Sequence, residues 1–483
     1  MDAHHCKNFL FKRGNYMFLN IDVHNENKIA LTDDTGEKMS YGQLQNFILN
    51  FKNIMPTRSV VFILCSNTIG AVAAFLACFE NKVVPLLLNK DLDRDLLRNL
   101  IDIYQPQYLI VPADMKVEFN KYTLAVQINN FVVLATKFPQ YAINEDLSFL
   151  LTTSGSTGSP KLVRHSYKNA YFSYKRVAEF FGFTANDVGL ADLPIHYTMG
   201  LSVICSHLYA GSKVVLTDYN LMSKEFWKIF NDQGITDFTG VPFSYEVFDK
   251  LGFFKKDYPA LKILAEGGGR MNDVLFRKVA LYCEQYGKKF YATFGTTETT
   301  ARLAYLKPEL AISKICSIGS AISGGQLSLL DTEQCNPIEE MIAEGELAYR
   351  GDNVTMGYAN CKEDLNKNDE RKGYYITGDI AKRDKDGCYY IIGRISRFLK
   401  LYGLRISLDQ CENIIRDEFK IDCACLGNDQ KMIIFLENKE ILEEVVSYIS
   451  KKTGVHRKCF ISKYIEHIPR NKNGKVMYSQ LKA

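Results

Sequence analysis

The sequence has no long apolar run, no cysteine framework and no strong charge imbalance, and each absence removes a class of protein. Across 483 residues the longest apolar stretch, IGAVAAFLACF at 69–79, is too short to cross a bilayer as a helix, so no membrane insertion is expected. The opening residues MDAHHCKNFLFKRGN lack the continuous hydrophobic segment of a signal peptide, which makes the cytoplasm the expected location. The thirteen cysteines are odd in number and scattered, with no CxxC; only Cys423 and Cys425 stand close. Reduced, mostly buried thiols are expected in place of disulfides or a zinc site. A net charge of +4 is too small to point to a nucleic-acid partner. No internal repeat or low-complexity linker interrupts the chain, so any hinge between domains must be short.

What is present is ordinary for a globular enzyme: 47% hydrophobic and 24% charged residues, enough chain for two or three domains. VVFILC at 60–65, the helical NTIGAVAAFLACFE and VVPLLL at 83–88 read as a βαβ unit. The following LDRDLLRNLIDIYQPQYLIVP repeats the step, with Leu92, Leu96, Leu100 and Ile103 expected on one helix face and a strand at 108–111. A doubly wound parallel sheet follows. A second α/β run covers 166–300, with strands expected in AGSKVVLTD, GITDFTGVP, LKILAEGGG and KKFYATFG. Between 327 and 390 short strands and turns such as DKDGCYYIIG read as all-β.

The stretch LLTTSGSTGSPKLVRHS at 150–166 carries the strongest local signal: six Ser/Thr and two glycines in eight positions, then Pro160 and Lys161. A Walker-type loop needs Gly where Pro160 stands and a metal-binding hydroxyl where Leu162 stands, and is excluded. Hydroxyls and backbone N–H groups remain, suited to phosphate oxygens, with Lys161 adding charge. A solvated turn would have the same composition.

TTSGSTGSPK resembles the phosphate-loop signature of the adenylate-forming superfamily, which includes acyl-CoA synthetases, adenylation domains of peptide synthetases and firefly-type luciferases. FGTTET at 294–299, YYITGD at 374–379, GRISRFLKLYGLRI at 393–406 and PRNKNGK at 469–475 are similar to its further signatures, in the family's order, and KMSYGQL at 38–44 extends the match. The fold implied is α/β: a large N-terminal domain over 1–393, of two α/β subdomains and a small β-barrel, and a hinged small α+β C-terminal domain over 394–483.

The reaction implied is attack of a carboxylate on the α-phosphate of ATP with loss of pyrophosphate, then opening of the acyl-adenylate by a pantetheine thiol, of CoA or of an acyl carrier protein. Two anions must approach, so positioning and charge neutralisation dominate. The resemblance assigns the β- and γ-phosphates to Thr153, Ser154, Gly155, Ser156, Thr157, Gly158 and Lys161. Phe294, Gly295 and Thr296 belong to the same ATP site, Thr297 contacts the α-phosphate, and Glu298 holds Mg²⁺. Gly267, Gly268 and Gly269 border the adenine, Asp379 takes the ribose hydroxyls, and Arg394 and Arg405 contact ribose or phosphate. Lys475 bridges the substrate carboxylate and the α-phosphate. Taken alone, FGTTET reads equally as a capped turn, TGD as an Asp turn, the glycines as a strand exit, and Arg394, Arg405 and Lys475 as surface cations.

Rotation of the small domain implies a hinge at Ser396, where the family carries Asp or Lys, and a pantetheine passage at Gly403. PIHYTMGLS at 194–202 resembles the aromatic-gate segment, with His196 as gate or, alternatively, a core histidine. Amino-acid-activating members carry Asp next to the gate; Tyr197 stands there, which favours an uncharged acyl chain, with Phe238, Gly240, Val241 and Phe243 lining an apolar pocket. Stand-alone amino-acid adenylation with carrier loading is the alternative activity. A non-catalytic relative would lose Glu298 or Lys475, and both are present; a luciferase-like oxygenase shares the motifs. Nine Lys/Arg against Glu466 over residues 451–483 favour an acidic carrier protein over free CoA, with a solvated basic tail as the plain alternative.

Overall fold

The computed structural model describes residues 17–128, 130–152, 161–401, 404–428, 430–470 and 476–481. The chain packs as two compact units. One holds the described residues up to Phe238 together with Thr296–Arg302 and Asp352–Gly373; the other holds Thr239–Gly295, Leu303–Gly351 and the described residues from Tyr374 onward.

In the first unit the expected βαβ step is present. Val60–Cys65 pairs in parallel with Val84–Asn89, register Val60 to Val84, across the helix Ile69–Glu80. Thr68 caps that helix by accepting from the Ala71 N–H, and every residue from Ile69 to Phe79 is buried, as an apolar helix without a polar face requires. Tyr108–Pro112 adds on the other side of Val60–Cys65. The intervening helix Arg94–Tyr104 buries Leu97, Leu100, Ile101 and Tyr104, with Leu96 and Ile103 at its flank and Leu92 before its start. Its apolar face is thus turned from the expected one, and Asp93 caps its first turn.

The sheet continues as Gly357–Ala359, Leu162–Ser166, Leu147–Thr152 and Val84–Asn89, and its far edge is Tyr108–Pro112, Phe131–Ala135 and Thr123–Ile128. Leu147–Thr152 and Leu162–Ser166 are antiparallel, with Thr152 opposite Leu162. Residues 153–160 therefore connect two paired strands. A second layer of the unit pairs Val188–Ala191 with Lys213–Leu216 and the latter with Ile29–Thr32, all parallel.

Arg164 ties this unit together. Its side chain is fully buried; Nε donates to the Tyr358 carbonyl, Nη1 to that of Lys367, and Nη2 to the Met356 and Asn368 carbonyls and the Glu370 carboxylate. Arg164→Leu would strip these acceptors of their donors at once. A loss of about 2–4 kcal/mol in urea-unfolding stability is the expected result.

In the second unit Ile263–Glu266 and Lys289–Phe294 pair in parallel across the helix Asp273–Gln285. The all-β region expected at 327–390 is an antiparallel sheet of Gln326–Leu330, Ala343–Arg350, Tyr374–Arg383 and Tyr389–Arg394. Beyond it come the hairpin Phe398–Leu401 and Leu404–Ser407, then a three-stranded sheet of Cys423–Asn428, Lys431–Leu436 and Phe460–Tyr464 packed with helices Leu408–Phe419 and Leu442–Thr453. That is an α+β arrangement with a core of its own. Most of the described cysteines are buried and all are free thiols, as expected.

Candidate functional site

In the first unit the centre is Tyr358. Its hydroxyl donates to Glu298 Oε1 at 2.7 Å, Lys161 Nζ stands 3.5 Å from the ring centroid, and the Arg371 guanidinium 4.4 Å from it. One aromatic side chain thus orients the expected magnesium carboxylate and carries the expected phosphate lysine on its π face. Glu298 is half-buried, and it is Oε1 that accepts the Tyr358 bond. Arg371 also donates to Thr355 Oγ1.

The segment holding Glu298 is bent sharply and clamped. Thr300 has φ 49° and Ala301 φ 89°, two successive left-handed residues neither of which is glycine. Such backbone costs about 1–3 kcal/mol per residue and persists only where neighbours enforce it. They do: Asn353 Nδ2 donates to the Thr299 and Arg302 carbonyls, Thr300 Oγ1 to the Asn353 carbonyl, the Thr355 N–H to the Glu298 carbonyl, and Ser173 Oγ to the Thr300 carbonyl. Thr296 opens the turn, its N–H donating to Thr299 Oγ1, and Thr297 is the first residue of the short turn that follows.

His196 lies between the strand Val188–Ala191 and the helix Thr198–Tyr209, with its ring edge-on to Tyr197. Asn67 pins the approach to it: Nδ2 donates to the Ala191, Leu193 and Thr217 carbonyls, and Oδ1 accepts from the Ile195 N–H.

In the second unit Asp379 is buried, and Arg394 Nε donates to its Oδ1 at 3.2 Å, while Oδ2 has no partner among the described residues. Burial pushes the carboxyl up to about 6, against the pull of Arg394. Gly378, at φ 76°, lies just before Asp379 where the strand Tyr374–Arg383 shifts register against Ala343–Arg350, a left-handed backbone that favours glycine. Among Gly267, Gly268 and Gly269 only Gly268 has a left-handed backbone, and the Gly267 N–H donates to the Gly240 carbonyl. Glu266, just before them, is fully enclosed and is pushed up to about 8. Phe294 ends the strand Lys289–Phe294, and Gly295 follows it. Phe238 and Val241 are buried, but Phe243 is 42% exposed and does not line an apolar pocket; it sits on the first turn of the helix Pro242–Lys250, facing water.

Arg394 and Arg397 are both anchored. The Arg394 N–H donates to Asp409 Oδ2, and Arg397 binds Asp409 and Glu412 and lies 3.9 Å from the Tyr478 ring centroid. Ser396 stands between them in the short turn Ile395–Arg397, and Arg405 is on the strand Leu404–Ser407; their side chains lie outside the described residues. Thr153, Ser154, Gly155, Ser156, Thr157, Gly158, Gly403 and Lys475 also lie outside them. Of the basic C-terminal residues, Arg457 pairs with Glu443 and Arg470 with Asp422, which leaves less net charge than the count suggested.

Tyr358, Arg371, Asn353 and Asn67 were not visible as site residues in the sequence. Each acts through a contact more than 15 residues away or between chain segments, and no local spacing marks them.

Among the described residues no cluster of three or more His, Cys, Asp or Glu could hold a metal ion by itself. A single half-buried carboxylate suits a cation that completes its shell with phosphate oxygens and water. A buried carboxylate with one unsatisfied oxygen suits a pair of vicinal hydroxyls. Glu298 stands in the short turn Thr297–Thr299 of the first unit, and Asp379 within the antiparallel strand Tyr374–Arg383 of the second. The chain belongs to the AMP-binding enzyme family, which matches residues 20–359.

The 2-succinylbenzoate–CoA ligase of Bacillus cereus (strain AH820) is 25% identical over 462 residues, 92% of this chain and 93% of that protein. Among solved structures, o-succinylbenzoate CoA synthetase of Bacillus subtilis in complex with the acyl-adenylate intermediate OSB-AMP is similar at TM-score 0.78 and 21% identity, covering 94% of this chain and 95% of that one. The same enzyme in complex with ATP and magnesium ion is similar at TM-score 0.75 and 20% identity, covering 94% and 97%. These likenesses concern the fold.

Proposed function

We propose that this chain activates a carboxylic acid with ATP, forming an acyl-adenylate and pyrophosphate, and then passes the acyl group to the thiol of coenzyme A. The observation that carries the reading is the arrangement on Tyr358, which holds a carboxylate and a lysine ammonium where the family's magnesium and phosphate groups are expected. Bound Mg²⁺ would neutralise phosphate charge during the displacement.

Glu298, oriented by Tyr358, would hold the cation. Lys161, with the hydroxyls and N–H groups of residues 153–158, takes the outer phosphates. Thr297 contacts the α-phosphate, and Asp379 accepts both ribose hydroxyls, with Arg394 partly offsetting the effect of burial on its carboxyl. Lys475 bridges the acid carboxylate and the α-phosphate, and His196 closes the acyl side. Ser396, between two anchored arginines, is the place for the backbone rotation that brings Gly403 to the thiol; the domain boundary at 393/394 rests on the same reading.

Coenzyme A is preferred to a carrier protein because relatives are named as CoA ligases and because Arg457 and Arg470 are consumed internally. 2-Succinylbenzoate, named in those relatives, is the first acid to try. ATP–pyrophosphate exchange across short, fatty, aryl and amino acids, followed by thioester formation with CoA and with a carrier protein, tests the reading. Exchange with an acid and thioester with CoA is expected. Exchange with no acid would refute it, and exclusive use of a carrier would refute the choice of acceptor.

A further inference from the structure

We propose that the acid activated by this chain carries a second anionic group, and that Arg302 binds it. The inference rests on the acid-activating reading above and names the substrate class.

Arg302 is 1% exposed and deep in the first unit. Its Nη1 donates to Ser202 Oγ at 2.7 Å, and its guanidinium lies 5.2 Å from the Phe181 ring centroid. Nε and Nη2 have no partner among the described residues. Those two nitrogens form one edge of the guanidinium, the fork that takes a carboxylate with two parallel hydrogen bonds. A buried cation with its bidentate edge unfilled is costly unless something anionic arrives to fill it.

A carboxylate that attracts it inside the protein is engaged through one of its oxygens. Asp237 attracts Arg302, but its Oδ2 is held by His207 Nε2 at 2.8 Å and by Thr236 Oγ1 at 3.1 Å. His207 Nδ1 in turn faces the Val203 carbonyl at 3.0 Å. Asp237 Oδ2 is thus committed to a contact chain that runs through His207 to the helix Thr198–Tyr209.

Its placement suits the acid. Arg302 follows the strained pair Thr300 and Ala301 on the segment that carries Glu298, and Ser202 lies on the helix Thr198–Tyr209 that follows His196. An anion-seeking group there replaces the uncharged acyl chain expected from Tyr197. It also disfavours amino acids, whose ammonium it would repel.

The test compares glutarate, adipate and 2-succinylbenzoate with their monoamides, by pyrophosphate exchange and by calorimetry, in the full-length wild type, Arg302→Gln and Arg302→Lys. The wild type should favour a dicarboxylate over its monoamide by tenfold or more in kcat/KM. Arg302→Gln should raise KM for the dicarboxylate by about ten- to a hundredfold while leaving KM for ATP and for the monoamide unchanged, and Arg302→Lys should recover part. Equal use of acid and monoamide by the wild type, or equal loss on both in Arg302→Gln, would overturn the assignment. If Arg302→Gln does not fold, the wild-type ratio decides alone. If no acid supports exchange but a dicarboxylate binds in preference to its monoamide, the activation reading falls and the Arg302 site stands; if neither is seen, both fall.

Discussion

Replacing Glu298 by glutamine should slow acyl-adenylate formation by about a hundredfold or more, the usual cost of removing one preorganised charge contact at a reacting phosphate. The amide keeps the size of the side chain and can still accept from the Tyr358 hydroxyl, so the fold should be untouched. Only the formal charge is lost. The Mg²⁺ concentration for half-maximal exchange should rise as well. Tyr358→Phe is the companion variant: it removes the bond that orients Glu298 but keeps the ring beneath Lys161, and should raise that concentration by about tenfold with a smaller loss of kcat. A magnesium titration of pyrophosphate exchange reads both. Unchanged magnesium dependence in Glu298→Gln would remove Glu298 from the metal site.

Asp379→Ala should raise KM for ATP by about ten- to a hundredfold, through loss of two hydrogen bonds to a charged acceptor, with a smaller effect on kcat. The pH dependence separates this from a packing effect. Burial holds the carboxyl at about 6 in the free protein, so it is ionised at neutral pH and protonates as pH falls through 6. Hydroxyl binding needs the ionised form. The value of kcat/KM for ATP should therefore fall below pH 6, by about tenfold per unit at the limit, and Asp379→Asn should abolish that limb. The same shift acts on stability. A carboxyl raised above its unfolded value is held protonated by the fold, so this contribution is present at low pH and is lost as pH rises through about 6. An ATP KM that Asp379→Ala leaves unaltered would displace the ribose assignment.

How much of this was legible in the sequence depends on whether the signal is local. The βαβ step at 60–89 was readable because an apolar helix between two β-branched runs has few other ways to bury itself. The strands at 213–216, 237–240, 263–266 and 289–294 fell where expected, since each is a short apolar run closed by a turn. The helix Arg94–Tyr104 was legible in kind but not in phase, because which of its apolar residues face the core is decided by packing against the sheet, which spacing alone does not show. Glu298 and Asp379 stood out through motif resemblance, yet nothing nearby marked what orients them. Tyr358 is 60 residues beyond Glu298 and meets it only because Asp352–Gly373 returns to the first unit. Arg302 looked like any arginine in ARLAY; only its enclosure and empty hydrogen-bonding edge distinguish it.

That return has a consequence for how the protein comes into being on the ribosome. The first unit lacks two of its pieces when residue 238 has been made, gains Thr296–Arg302 later and is finished only with Asp352–Gly373. Until then the left-handed turn at Thr300 and Ala301 has neither Asn353 nor Thr355 to hold it. The nascent chain must keep a large, incomplete sheet open through more than a hundred residues of further synthesis, a stretch in which exposed edges invite wrong pairing. The segment that orients Glu298 is also the one that closes the unit, so a chain cut short before it carries Glu298 without the groups that would aim it.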